Sequence, residues 1–414
     1  MRLKTSFKLP FNSRLGYNLI TIIFLFIMNF TLFNILYWQN EKSAILQLIY
    51  RFSLIIVFSC EVFYIGIHWY TRKRFTGITN VAFLYLLYEI IVTVLTNHYG
   101  PIGYITDGVV WPLTFVTFEL YAMYTDRKVI IKQLHGLIIP SVSVCTVFLI
   151  NNIRIHLSSS NHGEFGGNVG PVYFCLSFMG LILLLGNKKE KKFFAVWFVI
   201  MILASTKRGG FIILMVGLCG YYLVNSFNKG NISAKIKKIF KFAIIGAIIA
   251  LILYYIMVQL NLEILDRLLS MKDDEGSGRF DAWEKVIRYY NNSGLSEKIF
   301  GHGFHSVPSQ VQPLGHYIYA HDSYLEALYD FSMVGMLWLI GIVIWLCVQA
   351  IKLIKQKDKD APAIIYTLVE ILVLSLIGYF FDESRFILCV AIVWGISLGN
   401  RKNPIEQMHN KWKG

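Results

Sequence analysis

Charged side chains are scarce in this sequence. Only 15% of its 414 residues are charged, whereas 56% are hydrophobic and 15% are aromatic. So few charged residues cannot cover the surface of a soluble protein, and the composition therefore excludes a soluble globular domain. We predict an all-α polytopic membrane protein. The net charge of +14 then bears on orientation in the membrane rather than on nucleic acid binding, and no nucleic acid partner is expected.

Paired cysteines and regularly spaced metal ligands are also lacking. Each of the six cysteines stands alone in an apolar segment, with no CxxC pair, which excludes a disulfide framework or a thiolate metal site. No histidine pair near the end of the long polar stretch has the His-x3-His spacing of a helical metal site. The histidines in question are His302, His305, His316 and His321. We expect no metal and no other cofactor.

Long apolar runs are what the sequence has instead. About twelve of them are long enough, or nearly so, to cross a hydrocarbon core of ~30 Å. With the N-terminus inside, the inner segments hold more than twice as many Lys and Arg residues as the outer ones. We therefore expect both termini to be cytoplasmic. The first helix is expected to be retained, because no small-residue cleavage site follows the first apolar run.

The apolar runs divide the chain into four predicted parts. Transmembrane helices 1–9 are expected in residues 1–260 and an extracytoplasmic loop in residues 261–320. Helices 10–12 are expected in residues 321–399, followed by a cytoplasmic tail in residues 400–414. The polar loop is the longest interruption between apolar runs, so its residues are the first candidates for a functional site.

The loop contains the pattern of a short amphipathic helix. Apolar residues recur at helical spacing from Phe280 to Tyr290, with charged residues between them. Such a helix would lie on the outer membrane surface or across the top of the transmembrane bundle. Arg279 precedes it, where free backbone N–H groups and a guanidinium together could hold a phosphate. The alternative is that Arg279 pairs with Asp281 or Glu284 on the helix surface.

Two further arginines lie in short outer hairpins, against the usual charge bias. Arg208 is followed by two glycines, which allow a tight reversal or the close approach of a ligand. The alternative is an arginine that reaches lipid head groups at a helix end. Arg385 lies in a second tight hairpin, where two preceding carboxylates could balance its charge.

A histidine and three carboxylates begin the apolar run after the loop. After His321 come three carboxylates, each four residues from the next: Asp322, Glu326 and Asp330. This spacing places them on one helix face. A carboxylate that faces lipid costs several kcal/mol, so we expect this face to meet a polar interior.

Three pieces of the sequence resemble the O-antigen polymerase and O-antigen ligase superfamily, which includes the Wzy-type polymerases of capsule and exopolysaccharide assembly. Thr-Lys-Arg-Gly-Gly at 206–210 resembles its Ser-Arg-Gly hairpin. Gly-Arg-Phe-Asp-Ala-Trp at 278–283 and Phe-Gly-His-Gly at 300–303 are similar to its Arg-x3-Trp helix and Gly-x-Gly turn. His-Asp-Ser-Tyr-Leu-Glu-Ala-Leu at 321–328 is similar to its His-Asn-x-Tyr-Leu segment.

The chain departs from the family pattern at three positions. Lys207 is inserted before the hairpin arginine, Asp322 stands where asparagine is usual, and Ser332 stands where glycine is frequent. The first two departures leave the charges in place but alter the hydrogen-bonding groups. In the N-terminal half the resemblance lies in the architecture alone.

The resemblance implies a polysaccharide polymerase in the bacterial cytoplasmic (inner) membrane. Such an enzyme moves a growing glycan from polyprenyl (undecaprenyl) diphosphate to a hydroxyl of another lipid-linked repeat unit, without a metal and with inversion. Its partners would be lipid-linked repeat units, membrane lipid, and a flippase and chain-length regulator of the same pathway.

The resemblance also implies roles for individual residues. His321 would be the base, and Arg208 and Arg279 would stabilise the diphosphate. Substrate contacts would come from Arg385, Asp322, Glu326 and Trp283, with Asp322 or Glu326 also able to orient the base.

Other functions remain open at this point. A ligase, which passes the glycan to a different acceptor, shares these motifs. A lipid-linked oligosaccharide flippase or other transporter also has about twelve spans, but such proteins often show matched interrupted helices, which we do not find in the sequence. A non-catalytic scaffold leaves the outer arginines and the row of carboxylates unexplained.

Overall fold

The computed structural model describes residues 13–39, 43–72, 77–96, 105–158, 170–204, 208–227, 279–310, 319–378, 381 and 384–403. Every secondary-structure element in these ranges is a helix, which confirms the all-α prediction. The first seven are α1 (Ser13–Gln39), α2 (Ala44–Arg72), α3 (Gly77–Leu95), α4 (Ile105–Tyr124), α5 (Arg127–Ser158), α6 (Gly170–Leu185) and α7 (Lys188–Ala204). The next seven are α8 (Arg208–Phe227), α9 (Arg279–Asn292), α10 (Leu295–Phe300), α11 (Val307–Gln310), α12 (Ser323–Lys355), α13 (Ala361–Ile377) and α14 (Ser384–Lys402).

Five of these helices are long and apolar enough to cross a membrane, namely α1, α2, α5, α8 and α12. Shorter apolar helices are α3, α6 and α13. The pattern is that of an integral membrane protein, as the composition predicts. The apolar run expected near 240–260 and the loop residues 261–278 lie outside the described residues. The number of twelve spans therefore stays a prediction.

Contacts divide the chain into two compact units. Unit 1 comprises Met1–Ile90, Gly103–Phe194 and Glu383–Gly414, and unit 2 comprises Ile91–Ile102 and Ala195–Asp382. In unit 1, α14 packs directly on α4. A Cβ atom at Gly399 would lie 2.2 Å from the carbonyl oxygen of Glu119, so this approach requires glycine. The buried Glu119 carboxylate also accepts a hydrogen bond from Lys402, which ties the end of α14 to α4.

In the described part of unit 2, α12 is the longest helix and contacts most of the others. Helices α9, α10 and α11 each pack against α12, and α13 contacts both α12 and α8. A small core joins α9, α11 and the residues before α12 to the first part of α12. Its buried members are Val286, Val307, Ala320 and Tyr329, and Trp283, Tyr290 and Leu325 pack against them.

The helix predicted from the loop sequence is α9, and its apolar residues divide between two faces. Trp283, Val286 and Tyr290 pack toward α12, whereas Phe280 and Ile287 stay exposed. At 3.6 residues per turn, positions 280 and 287 lie nearly 90° around the helix from the packed positions. The packed face lies against the start of α12, and the placement of α9 relative to the membrane stays a prediction.

Helix α12 is interrupted at Ser332. This residue has φ 66° and ψ −172°, far outside the helical region. The Gly-x-Gly turn at 301–303 packs onto the interruption: His302 N donates to Tyr329 O at 3.2 Å, and Gly303 N donates to Asp330 O at 2.9 Å. A Cβ atom at Gly301 would lie 2.2 Å from Asp330 O. The turn needs glycine at position 301 because its backbone lies directly against the backbone of α12.

Candidate functional site

Asp322 forms the N-terminal cap of α12. Its Oδ1 accepts hydrogen bonds from the backbone N–H groups of Tyr324 and Leu325, each at 2.9 Å. Such a cap satisfies amides that have no partner within the helix. Burial raises the pKa of the Asp322 carboxyl, and the hydrogen bonds from Leu325 and Tyr324 oppose this shift. The sequence predicts a substrate contact here, and the structure places the carboxylate in the helix cap.

Ala320, directly before His321, is held on both sides. Glu326 Oε1 accepts a hydrogen bond from Ala320 N at 2.6 Å. Trp283 Nε1 donates to Ala320 O at 2.7 Å. Side chains from α12 and α9 therefore grip the backbone one residue before the candidate base. Both side chains are predicted as substrate contacts. In the structure, Trp283 and Glu326 bind the backbone of the residue before His321.

His321 itself is exposed and has a positive φ of 51°. Few residues other than glycine adopt this conformation, although histidine does so more often than most. The hydrogen bonds to Ala320 on one side and the Asp322 cap on the other leave the backbone of His321 little freedom. Its imidazole is therefore exposed and is attached to a backbone that has little freedom.

The third carboxylate, Asp330, holds the turn that leads into α11. Its Oδ2 accepts from His305 N at 2.6 Å, and its Oδ1 accepts from Ser306 N at 3.0 Å and Val307 N at 3.2 Å. Asp322, Glu326 and Asp330 are all buried. The polar surroundings expected for these carboxylates are thus largely backbone amides of the loop rather than an open cavity. We call the three carboxylates with their amide partners the carboxylate clasp.

Arg279 is the first residue of α9 and is partly exposed. It lies one turn, about 6 Å along the helix axis, before Trp283 on the same face. The Trp283 hydrogen bond to Ala320 therefore joins α9, one turn after Arg279, to the residue before His321. Arg279 forms no ion pair with Asp281 or Glu284, the surface pairing that the sequence left open.

The other two predicted arginines lie at the starts of helices. Arg208 is the first residue of α8, and the two glycines after it lie inside the first helical turn rather than in a reversal. Arg385 lies in the first turn of α14, which belongs to unit 1. Lys207 and the side chains of both arginines lie outside the described residues.

Sequence reasoning missed the surroundings of the other loop histidines. His302 is buried, stacks on Tyr329 with ring centroids 4.0 Å apart, and bonds to Ser293. His305 contacts Tyr319, which comes two residues before His321. Among the described residues no group of three His, Cys, Asp or Glu side chains could hold a metal ion, and His316 lies outside them. The only sequence feature that pointed to these contacts was the Gly-x-Gly turn, because glycine readily adopts the positive φ of a tight turn.

The arrangement offers two chemical capacities. An exposed imidazole with a fixed backbone can take a proton from a hydroxyl group near neutral pH. A guanidinium beside the free N–H groups at the start of α9 can stabilise an anionic leaving group. These two capacities suit a transfer reaction in which a hydroxyl attacks and an anionic group departs.

Comparison with known proteins agrees with the resemblance seen in the sequence. Residues 193–340 match the family model described as O-antigen ligase. No curated protein matches the chain. The matched segment runs from α7 into α12 and contains the grip on Ala320, the carboxylate clasp and His321. The predicted resemblance is therefore confirmed over residues 193–340, about a third of the chain, and this match supports a function of the O-antigen polymerase or ligase type.

Proposed function

We propose that the chain is a polysaccharide polymerase. It transfers a growing glycan from polyprenyl diphosphate to a hydroxyl of a second lipid-linked repeat unit. The observation that supports this proposal is His321, which is exposed next to a backbone held by hydrogen bonds from Glu326 and from Trp283 of α9, the helix that Arg279 begins. The family domain accommodates a ligase equally well, and that remains the second candidate.

In the proposed reaction His321 accepts the proton of the attacking hydroxyl. The oxygen then forms a bond to the anomeric carbon while the bond from that carbon to the diphosphate breaks, with inversion. The diphosphate leaves with the electron pair, and Arg279 and Arg208 stabilise its charge without a metal. Arg385 would bind the substrate as well. Asp322, Glu326 and Trp283 act by holding His321 rather than by touching sugar.

The proposal includes the topology deduced from the basic residues. About twelve spans place residues 261–320 outside the bacterial cytoplasmic membrane and both termini inside. The predicted divisions at 260, 320 and 399 belong to this topology. A flippase that supplies repeat units and a chain-length regulator would act in the same pathway.

Arg279 offers a direct test with a matched control on the same helix. We expect Arg279→Ala to slow extension of a purified lipid-linked repeat unit about 100-fold or more, the usual effect of removing one stabilising donor. Arg288→Ala removes an exposed arginine of α9 and should stay within about twofold of the wild-type rate. Equal rates for the two variants would remove Arg279 from the mechanism.

The glycan of a strain that lacks the protein separates the candidate functions. Loss of a polymerase leaves single repeat units at the outer face. Loss of a ligase leaves full-length polymer on its lipid carrier, and loss of a flippase leaves units trapped inside. Full-length polymer on the carrier would overturn the polymerase in favour of the ligase.

A further inference from the structure

A row of three aromatic side chains includes the candidate base. The phenol oxygen of Tyr319 lies 3.2 Å from Nε2 of His305, and the two ring centroids are 5.3 Å apart. The Tyr319 centroid also lies 6.2 Å from that of His321. Tyr319 is thus close to both histidines, and each of the three residues is at least partly exposed. We call these residues the ring row.

The backbone under the ring row is held at several points. Asp330 accepts from His305 N, and Thr93 Oγ1 accepts from Phe304 N at 3.1 Å. Glu326 and Trp283 grip Ala320, between Tyr319 and His321. His305 and His321 both have positive φ, at 63° and 51°. Such conformations cost energy and persist where surrounding contacts enforce them, commonly at functional sites.

The ring row combines apolar faces with polar edges. The Tyr319 ring is tilted by 59° from His305 and by 55° from His321, so the three rings do not cover one another as a stack would. Each ring presents carbon faces together with a hydroxyl or ring nitrogen that can donate or accept a hydrogen bond. A sugar ring has the same composition, with C–H groups on its faces and hydroxyls around its rim.

Other ligands of the proposed reaction fit the ring row less well. An isoprenoid chain has no group that can form a hydrogen bond with the polar edges of these rings. A diphosphate is better bound by guanidinium groups, which pair with its oxygens in a bidentate way. The chemistry of the row therefore favours a hydroxylated, uncharged ring.

We propose that His305 and Tyr319 form, with His321, the subsite for the terminal sugar of the acceptor repeat unit. This inference rests on the proposed function, because His321 takes its proton from a hydroxyl of that sugar. The ring adjacent to His321 must then contact the sugar that carries the reacting hydroxyl. Tyr319 supplies the stacking face, and His305 orients the phenol through its hydrogen bond.

Steady-state kinetics test the subsite if the acceptor and donor are varied separately. Tyr319→Leu should raise the KM for the acceptor about 10-fold and leave the donor KM within twofold. Tyr319→Phe keeps the ring and should raise the acceptor KM less than Tyr319→Leu does. The control is Tyr289→Leu, which removes a tyrosine of α9 that is 38% exposed and should change neither constant. An unchanged acceptor KM in Tyr319→Leu, or a raised donor KM alone, would overturn the subsite.

A binding measurement keeps this test separate from the test of the reaction itself. The probe is the free repeat-unit oligosaccharide, released from its carrier, observed by saturation-transfer NMR with the full-length protein. Protons of its terminal non-reducing sugar should receive saturation from the wild type and from Tyr289→Leu, but not from Tyr319→Leu. Equal transfer to Tyr319→Leu contradicts the subsite even if the protein proves to be a polymerase. Transfer that depends on Tyr319 supports the subsite.

Discussion

Ser332 occupies a backbone conformation that suits glycine. Its angles, φ 66° and ψ −172°, belong to a region that other residues enter at a cost of roughly 1–3 kcal/mol. The resemblance noted above has a frequent glycine at this position. Ser332 Oγ accepts a hydrogen bond from Val334 N at 3.2 Å, which offsets part of the strain. The interruption of α12 therefore comes from the contacts around Ser332 and not from a glycine or proline at this position.

Substitution of Ser332 separates strain from hydrogen bonding. Ser332→Gly relieves the strain, whereas Ser332→Ala keeps it, and both lose the Oγ acceptor. We expect Ser332→Gly to be more stable than Ser332→Ala by about 1–2 kcal/mol. Thermal unfolding of the purified variants in one detergent measures this difference. An alanine variant as stable as the glycine variant would mean that the helix continues through position 332.

Asp322 replaces the usual asparagine without loss of the helix cap. Only Oδ1 accepts from Tyr324 and Leu325, and the amide oxygen of asparagine can do the same. Burial raises the pKa of Asp322 above its unfolded value despite these hydrogen bonds. The folded state then binds the proton more tightly, so stability falls as pH rises through this folded-state pKa.

We expect Asp322→Asn to be at least as stable as the wild type at neutral pH, because it keeps the cap and removes the buried charge. Asp322→Ala should lose about 1 kcal/mol. Unfolding curves at neutral and acidic pH measure both effects, and the advantage of Asp322→Asn over the wild type should shrink in acid. A loss in Asp322→Asn as large as in Asp322→Ala would show that the charge itself is needed.

At the scale of elements, the carboxylate clasp joins the loop helices to α12. Asp330 accepts three consecutive backbone N–H groups that start α11. The Gly-x-Gly turn then pairs with carbonyl groups at the Ser332 interruption. The turn, α11 and the first part of α12 thus behave as one folded piece, and the position of His305 depends on it.

Asp330→Asn should destabilise this piece by about 2–3 kcal/mol, because one carboxylate oxygen becomes an N–H donor facing backbone N–H groups. Asp281→Asn, at an exposed position of α9, should have an effect near zero. Limited proteolysis between α9 and α11 reports the local effect. If Asp330→Asn and Asp281→Asn are cleaved at the same rate, the three amides do not depend on Asp330.

Helical spacing predicts part of this arrangement and misses the rest for a physical reason. The repeat from Phe280 to Tyr290 predicts α9, and the change from polar to apolar residues near Asp322 predicts the start of α12. The spacing also places the three carboxylates on one face. Their partners could not be predicted, since Asp330 binds an amide 25 residues earlier in the chain. Local periodicity carries no information on how two distant segments align.

At the scale of the whole molecule, the five long apolar helices are those of an integral membrane protein, and the family match at residues 193–340 supports a role in glycan assembly. The distribution of Lys and Arg predicts which loops face the cytoplasm. It also predicts that the loop with Arg279, and His321 directly after that loop, face the outside. The two observations are independent, because the domain match concerns residues 193–340 whereas the charge bias extends over the whole chain.

The proton transfer at His321 is the central claim, and a single substitution tests it most directly. His321→Asn removes the basic ring but tolerates the positive φ of 51° at this position. The measurement is extension of a purified lipid-linked repeat unit by the reconstituted full-length protein, with thermal unfolding to establish that the variant is folded. We expect a ladder of polymer from the wild type and a rate at least about 100-fold lower from His321→Asn. A ladder formed by folded His321→Asn at the wild-type rate would contradict the mechanism.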